Sequence, residues 1–238
     1  MAAPGVGFGL RSRDPRSGWL VLGFGALAAF LLVTLAAMSW PTFGRLDAVV
    51  SAGIRSWRTP ALNPVAIAAS ALGSVYVVLP AALVLAAWMV ARRNWRGVIY
   101  VVMTVGVGWA LGNYVVKNII RRDRPAGVNI VPLLGDHSMP SSHALAAFLL
   151  FTTLCVLIML NMPVGRHVKR WIAIASALII IAVGLSRAYL GVHWFGDVVA
   201  SYLFGGAWWT FTTATYFGSL KDEKRAVRRQ IGLDSRKE

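Results

Sequence analysis

Six stretches of this chain carry no charged residue: 17–44, 59–91, 97–116, 144–165, 171–186 and 198–220. A helix needs about 20 apolar residues to cross a bilayer. Inside a bilayer only helices and closed barrels satisfy their own backbone groups. Most of the stretches are long enough; 171–186 reaches that length if its helix runs on through Arg187 towards Gly191. The expected fold class is therefore all-α, a bundle of six transmembrane helices in one domain. The expected spans are about 18–40, 72–91, 97–120, 140–160, 171 to near 187, and 194–217. Residues 1–17 form an N-terminal tail, 18–217 the membrane domain and 218–238 a basic tail. An apolar run as long as 18–40 is read as a retained helix rather than a cleaved signal, whose apolar core is shorter.

The net charge of +15 raises the question of nucleic acid. The distribution of charge answers it. Sixteen of the 24 Lys and Arg residues lie at Arg11–Arg16, Arg92–Arg96, Arg166–Arg170 and from Lys221 onward. Those segments share one side of a six-span chain. This is the positive-inside pattern, which puts both termini on the cytoplasmic side; the expected location is a cell (inner) membrane. No basic stripe with interleaved aromatics exists, so nucleic acid is excluded as a partner. Cys155 is the single cysteine, and no internal disulfide can form.

Between the spans, Leu46, Val49, Val50, Ile54 and Trp57 of segment 41–61 fall on one side of a helix. That pattern suits a helix lying in the interface or capping the bundle. Pro60, Pro64 and Gly73 interrupt the apolar stretch that leads to the second span, where Pro80 could kink it. Gly108 and Gly112, four apart in the third span, allow close helix contact.

Three polar clusters break the apolar pattern. The first is Lys117 with Arg121-Arg122-Asp123-Arg124-Pro125, at the end of the third span. The second is Ser138-Met139-Pro140-Ser141-Ser142-His143, at the start of the fourth. The third runs from Ser186-Arg187 to His193 and Asp197, between the fifth and sixth. Counting spans puts all three on the face opposite the basic loops, the outer or periplasmic side. Ionisable groups at membrane depth are costly and point to function.

Each cluster has its own chemistry. Arginine forks and a lysine point charge match phosphate oxygens, which suits Lys117, Arg122 and Arg124. Ser141 and Ser142 suit a helix start, whose free N–H groups face an anion. His143, in that first turn, could donate a proton. His193 and Asp197 lie one helical turn apart. There a carboxylate can hold one ring nitrogen and leave the other to act as base or nucleophile. A cationic pocket of this kind calls for a phosphate. It lacks the several carboxylates of a magnesium or two-metal site, and its cations would repel a metal ion. No cofactor is expected.

Lys117-x6-Arg124-Pro125, Pro140-Ser141-Ser142-His143 and Ser186-Arg187-x5-His193-x3-Asp197 together resemble the three motifs of the type-2 phosphatidic acid phosphatase superfamily. Ser142 departs from the pattern, because the family usually has glycine there. The resemblance implies a lipid phosphatase in which His193 attacks phosphorus to form a phosphohistidine. Asp197 would orient His193. His143 would protonate the leaving oxygen and then activate water. Lys117, Arg124, Arg187, Ser141 and amides near Ser142 would hold the phosphoryl oxygens, with Arg122 a possible additional ligand. The expected partners are the bilayer and a phosphorylated membrane lipid, such as undecaprenyl pyrophosphate, phosphatidate or phosphatidylglycerol phosphate. A lipid phosphotransferase, and a non-catalytic anionic-lipid or phosphate binding or transport protein, are the alternatives.

Overall fold

The computed structural model describes residues 15–133, 135 and 137–230, most of them helical. Eight helices follow one another: α1 (Pro15–Ser39), α2 (Pro41–Arg55), α3 (Leu62–Ala71), α4 (Val75–Ala91), α5 (Trp95–Ile120), α6 (Ser142–Asn161), α7 (Arg166–Tyr189) and α8 (Phe195–Gln230). No strand occurs among the described residues; a single bridge pairs Asp123 with His137.

Four helices are long and apolar enough to cross a membrane: α1, α5, α6 and α7. The pair α3 and α4, bent by 41°, counts as a fifth if the two are one broken span. The expected sixth span falls in α8. That helix has ample length, but its Gly, Thr, Tyr and Trp residues leave it less apolar than the others. It also continues past 217 to Gln230, so the expected boundary of a separate tail at 218 is not a break in the helix. The expected N-terminal tail lies almost wholly outside the described residues, as do 231–238.

The helices turn apolar side chains outward, as a lipid-facing surface requires. Leu32, Val84, Ile119 and Leu178 are all exposed. The core lies between α4, α5, α6 and α8, built on Val78, Leu85, Met89, Val101, Leu150 and Leu157. Small residues set the spacing. A side chain at Gly112 would strike Leu145 of α6 and stand 3.3 Å from Phe204 of α8, so the glycine lets α5 pack tightly against both. At Gly108 the obstacles would be Trp208 and Leu149.

Helix α2 is inverted with respect to a soluble amphipathic helix. Leu46 and Val49 point outward, as does Trp57 just beyond its end, and Asp47, Ser51 and Ile54 point in. Ile54 therefore does not share the face of Leu46 and Val49, with which the sequence pattern grouped it. The apolar exterior fits the expected interfacial helix, and its polar stripe is free to serve the interior.

Candidate active site

The three clusters converge on a cavity of about 460 Å³ at one end of the bundle. It is lined by Lys117 and Asn113 of α5, Arg124, Ser142 and His143 of α6, Arg187 of α7, and His193.

Local sequence explains each placement. Over Val102–Val107 and Leu111–Val116 the hydrogen bonding of α5 widens to π-helical turns. Such turns recur at functional sites. Asn113 and Lys117, one turn apart, both reach Ser142: Lys117 Nζ donates to its hydroxyl at 2.7 Å, and the hydroxyl donates to Asn113 Oδ1 at 2.5 Å. Ser142, where glycine was expected, thus holds the lysine in place. Helix α5 ends at Arg121 in the left-handed conformation (φ 54°), which swings the following chain across the bundle. Arg124 then donates through Nη1 to Val192 O (2.7 Å) and through Nε to Gly135 O (2.9 Å). The same Nη1 sits 3.3 Å from His193 Nε2.

Arg187 is buried at the end of α7 and donates to the hydroxyl of Ser70 on α3. Its Nε is buried without a hydrogen-bond partner. The chain then reverses at Gly191, whose φ of +75° only glycine adopts freely and whose Cα faces the Val128 carbonyl too closely for a side chain. This turn delivers His193 into the cavity.

His193 is 2% exposed and Asp197 fully buried. The geometry fixes the tautomer of the imidazole. A guanidinium only donates, so Nε2 beside Arg124 must be the acceptor. The ring proton is then on Nδ1, which faces Asp197 Oδ2 at 3.4 Å, an ion-pair distance longer than a good hydrogen bond. Burial, followed by the charges of Arg187, Arg124 and Lys117, pushes the His193 pKa well below its ordinary value. The imidazole is thus held neutral, the form that has a lone pair to attack with.

Two of the expected phosphate ligands do not line the cavity. Arg122 does not face the cavity. Its two Nη groups are held by carboxylates, Nη1 by Asp197 Oδ1 (2.7 Å) and Nη2 by Asp47 Oδ2 (2.8 Å). Ser141 is completely buried, and its Oγ has no hydrogen-bond partner. Its amide is taken by Ser201 Oγ at 2.7 Å, and that hydroxyl bonds the Asp197 carbonyl at the same distance. Ser201 so fastens the start of α6 to the first turn of α8.

The sequence reading missed Asp47, Ser70, Asn113 and Ser201. Each is a lone polar residue on a helix, with no spacing to mark it. His137, given no role, lines the cavity through its bridge to Asp123. Among the described residues no group of three or more His, Cys, Asp or Glu side chains is gathered to hold a metal.

Comparison with known proteins fits this arrangement. Residues 96–221 match the family model of the PAP2 superfamily. Phosphatidylglycerophosphatase B of Bacillus subtilis is 29% identical over 183 residues, 76% of this chain and 88% of that protein. Undecaprenyl-diphosphatase of Sulfolobus acidocaldarius is 32% identical over 155 residues, 63% of this chain and 68% of the relative. The crystal structure of a transmembrane PAP2-type phosphatidylglycerolphosphate phosphatase from Bacillus subtilis superposes with a TM-score of 0.75 at 25% identity, covering 85% of this chain and 96% of that one. Aquifex aeolicus LpxE shares the fold more loosely, with a TM-score of 0.53 over 71% of this chain and 94% of its own. An all-helical, membrane-spanning chain with converging phosphate-type motifs defines a class, the multi-pass membrane phosphatases. This chain belongs to the PAP2 superfamily within that class.

Proposed function

We propose that the protein hydrolyses the phosphate or pyrophosphate ester of a membrane lipid through a phosphohistidine on His193, without a metal ion. The observation that carries this reading is the placement of His193, set between the Asp197 carboxylate and three cations at the wall of a cavity that His143 also lines.

The steps follow from the geometry. The phosphoryl group enters between Lys117, Arg124 and Arg187, whose charges match its oxygens. Amides in the first turn of α6 add donors. His193 Nε2 attacks phosphorus, and the bond to the leaving lipid oxygen breaks. His143, protonated once the bound phosphoryl anion offsets the cations around it, gives that oxygen a proton. Asp197 balances the positive charge that forms on the His193 ring. Water, deprotonated by His143, then attacks the phosphohistidine; phosphate leaves and His193 is regenerated. Charge develops on the phosphoryl oxygens in both steps, so a fixed cationic cradle supplies much of the rate.

The lipid character of the substrate is supported by the walls. Val75, Trp109 and Tyr114 line the cavity from helices that carry the membrane-facing surface, so an apolar tail could stay in the bilayer while its phosphate enters. The positive-inside pattern supports a cavity that opens on the outer face of a cell membrane. Phosphatidylglycerol phosphate is the first substrate to test, because the similarity to the Bacillus phosphatase extends over most of both chains.

The test is phosphate release by the purified protein in detergent with a chelator present. The panel is phosphatidylglycerol phosphate, phosphatidate, undecaprenyl pyrophosphate and a soluble phosphate ester. One lipid is expected to be turned over, and His193→Ala is expected to lose roughly 10⁴-fold or more, as removal of a nucleophile does. Near-normal turnover by folded His193→Ala would overturn the mechanism. An added acceptor lipid that became phosphorylated would make the enzyme a phosphotransferase.

A further inference from the structure

Helix α2 enters the site from outside the three motifs. Asp47 Oδ1 accepts the N–H of Gly196 at 2.8 Å, and Ser51 Oγ accepts that of Phe195 at 2.9 Å. The first free amides of α8 are therefore capped by side chains of another helix. Asp47 Oδ2 takes one arm of Arg122, and the other arm of Arg122 takes Asp197 Oδ1. Asp197 Oδ2 accepts the N–H of Trp194 at 2.9 Å and faces His193 Nδ1. The chain Asp47–Arg122–Asp197–His193 is shut off from water throughout; its members are 6%, 9%, 0% and 2% exposed.

We infer that Asp47 and Arg122 are positioning residues for the reaction, acting on His193 through Asp197. The inference rests on His193 being the nucleophile. Three observations carry it. First, a guanidinium is a rigid planar fork, so one Arg122 held at both ends fixes the plane of the Asp197 carboxylate. That plane decides whether Oδ2 meets the Nδ1 proton. Second, the charges are arranged unevenly. A lone Arg122 beside Asp197 would neutralise it and weaken its hold on a cationic His193 ring. Asp47 takes half of that guanidinium and leaves a net negative charge across the three groups, turned towards the imidazole. Third, the contact is built in. A side chain at Gly196 would come within 2.5 Å of Asp47 Oδ2, and Arg122 stacks 5.7 Å from the Trp194 ring centroid, so the parts interlock around the His193 turn.

A purely structural ion network predicts something different, and a double-mutant cycle separates the two. The substrate is whichever lipid of the panel above shows His193-dependent release. Asp47→Asn keeps the shape and removes the charge. It is expected to lower kcat by about 10- to 100-fold, the usual effect of a group that orients a functional side chain. KM is expected to stay within about threefold, because the phosphate ligands are untouched. In an Asp197→Asn background the same change is expected to cost less than about twofold, since its route to His193 is already broken. Equal losses in both backgrounds, or an unchanged kcat in Asp47→Asn beside an inactive His193→Ala, would overturn the inference and leave the proposed mechanism standing. An active His193→Ala would overturn both. Should Asp47→Asn not purify folded, Arg122→Lys takes its place in the cycle with the same expectations, because lysine keeps the charge and loses the fork.

Discussion

The two ends of α5 bury polar groups in opposite ways. At its start, Asn94 reaches Asn161 Oδ1 (3.2 Å) and the Tyr216 hydroxyl (3.3 Å), and its own Oδ1 caps the Gly97 amide (2.9 Å). Nearby, the Tyr100 hydroxyl meets Thr213 at 2.8 Å, and the Tyr100 and Tyr216 rings stack at 4.7 Å. These groups are neutral and matched to one another. At the far end, about 40 Å away along 26 residues at about 1.5 Å each, the groups are charged. There Lys117 and Arg187 bond hydroxyls, not carboxylates. The carboxylates of Asp47 and Asp197 serve Arg122 and His193. A neutral, closed network holds helices together. Cations placed around a cavity and bonded there to hydroxyls, as Lys117 and Arg187 are, hold a place for an anion. The difference locates the function more sharply than burial does, since both ends are buried or half-buried.

The largest effect that tests this contrast comes from the cradle. Arg187→Lys keeps one charge and loses the second donor. It is expected to lower kcat/KM by roughly 10²- to 10³-fold, the range for removing one preorganised transition-state donor. Thermal stability is expected to hold, because the buried charge stays and the Nε that had no partner is removed. A variant with near-normal kcat/KM would mean that Arg187 is a structural strut to Ser70 and that the cavity is not the phosphate site.

The opposite end should respond in the reverse sense. Asn94→Ala removes four side-chain hydrogen bonds at once, the weakest to Met89 Sδ, and is expected to cost about 1–3 kcal/mol of stability, with kcat unchanged. Thermal unfolding in detergent alongside turnover checks both parts. A large loss of kcat would mean that the two ends are coupled through α5 and that the contrast drawn between them fails.

The sequence disclosed these regions unequally, for a physical reason. Charged residues are so expensive in an apolar chain that Lys117, Arg124, His143, Arg187, His193 and Asp197 stand out without a structure. The helices were legible for the same reason, because spans are defined by what they exclude. The break between α3 and α4 falls at the expected Gly73, where a side chain would meet the His143 carbonyl at 2.5 Å. What could not be read is which way a charge points. Arg122 and Arg124 are two residues apart in one basic run, yet one faces two carboxylates and the other the cavity. The left-handed turn at Arg121 sets that direction, and nothing in the sequence of the run marks it. Asp47 escaped notice because α2 carries its apolar residues outward. Its inward stripe, Asp47 and Ser51, has the composition of an ordinary solvent face.

Acid sharpens the comparison by the smallest margin. Unfolded His193 would take up a proton near its ordinary pKa of about 6.5. In the folded protein burial and the neighbouring cations hold the pKa well below that. As pH falls below about 6.5 the unfolded state therefore binds more protons than the folded one, and stability drops. The contribution is fully present above that pH and is lost progressively below it. One proton accounts for at most about 1.4 kcal/mol per pH unit. Other groups add to the acid sensitivity, so the measurement is a difference. The unfolding temperature is followed from pH 7.5 to 5 in the native protein and in His193→Gln, whose amide does not titrate. The native curve is expected to fall more steeply, while Asn94→Ala is expected to keep the native slope from a lower starting point. Parallel curves for the native protein and His193→Gln would mean that the imidazole is protonated with equal ease in both states. The ring could not then be the neutral, water-shielded nucleophile that distinguishes this end of the bundle from the other.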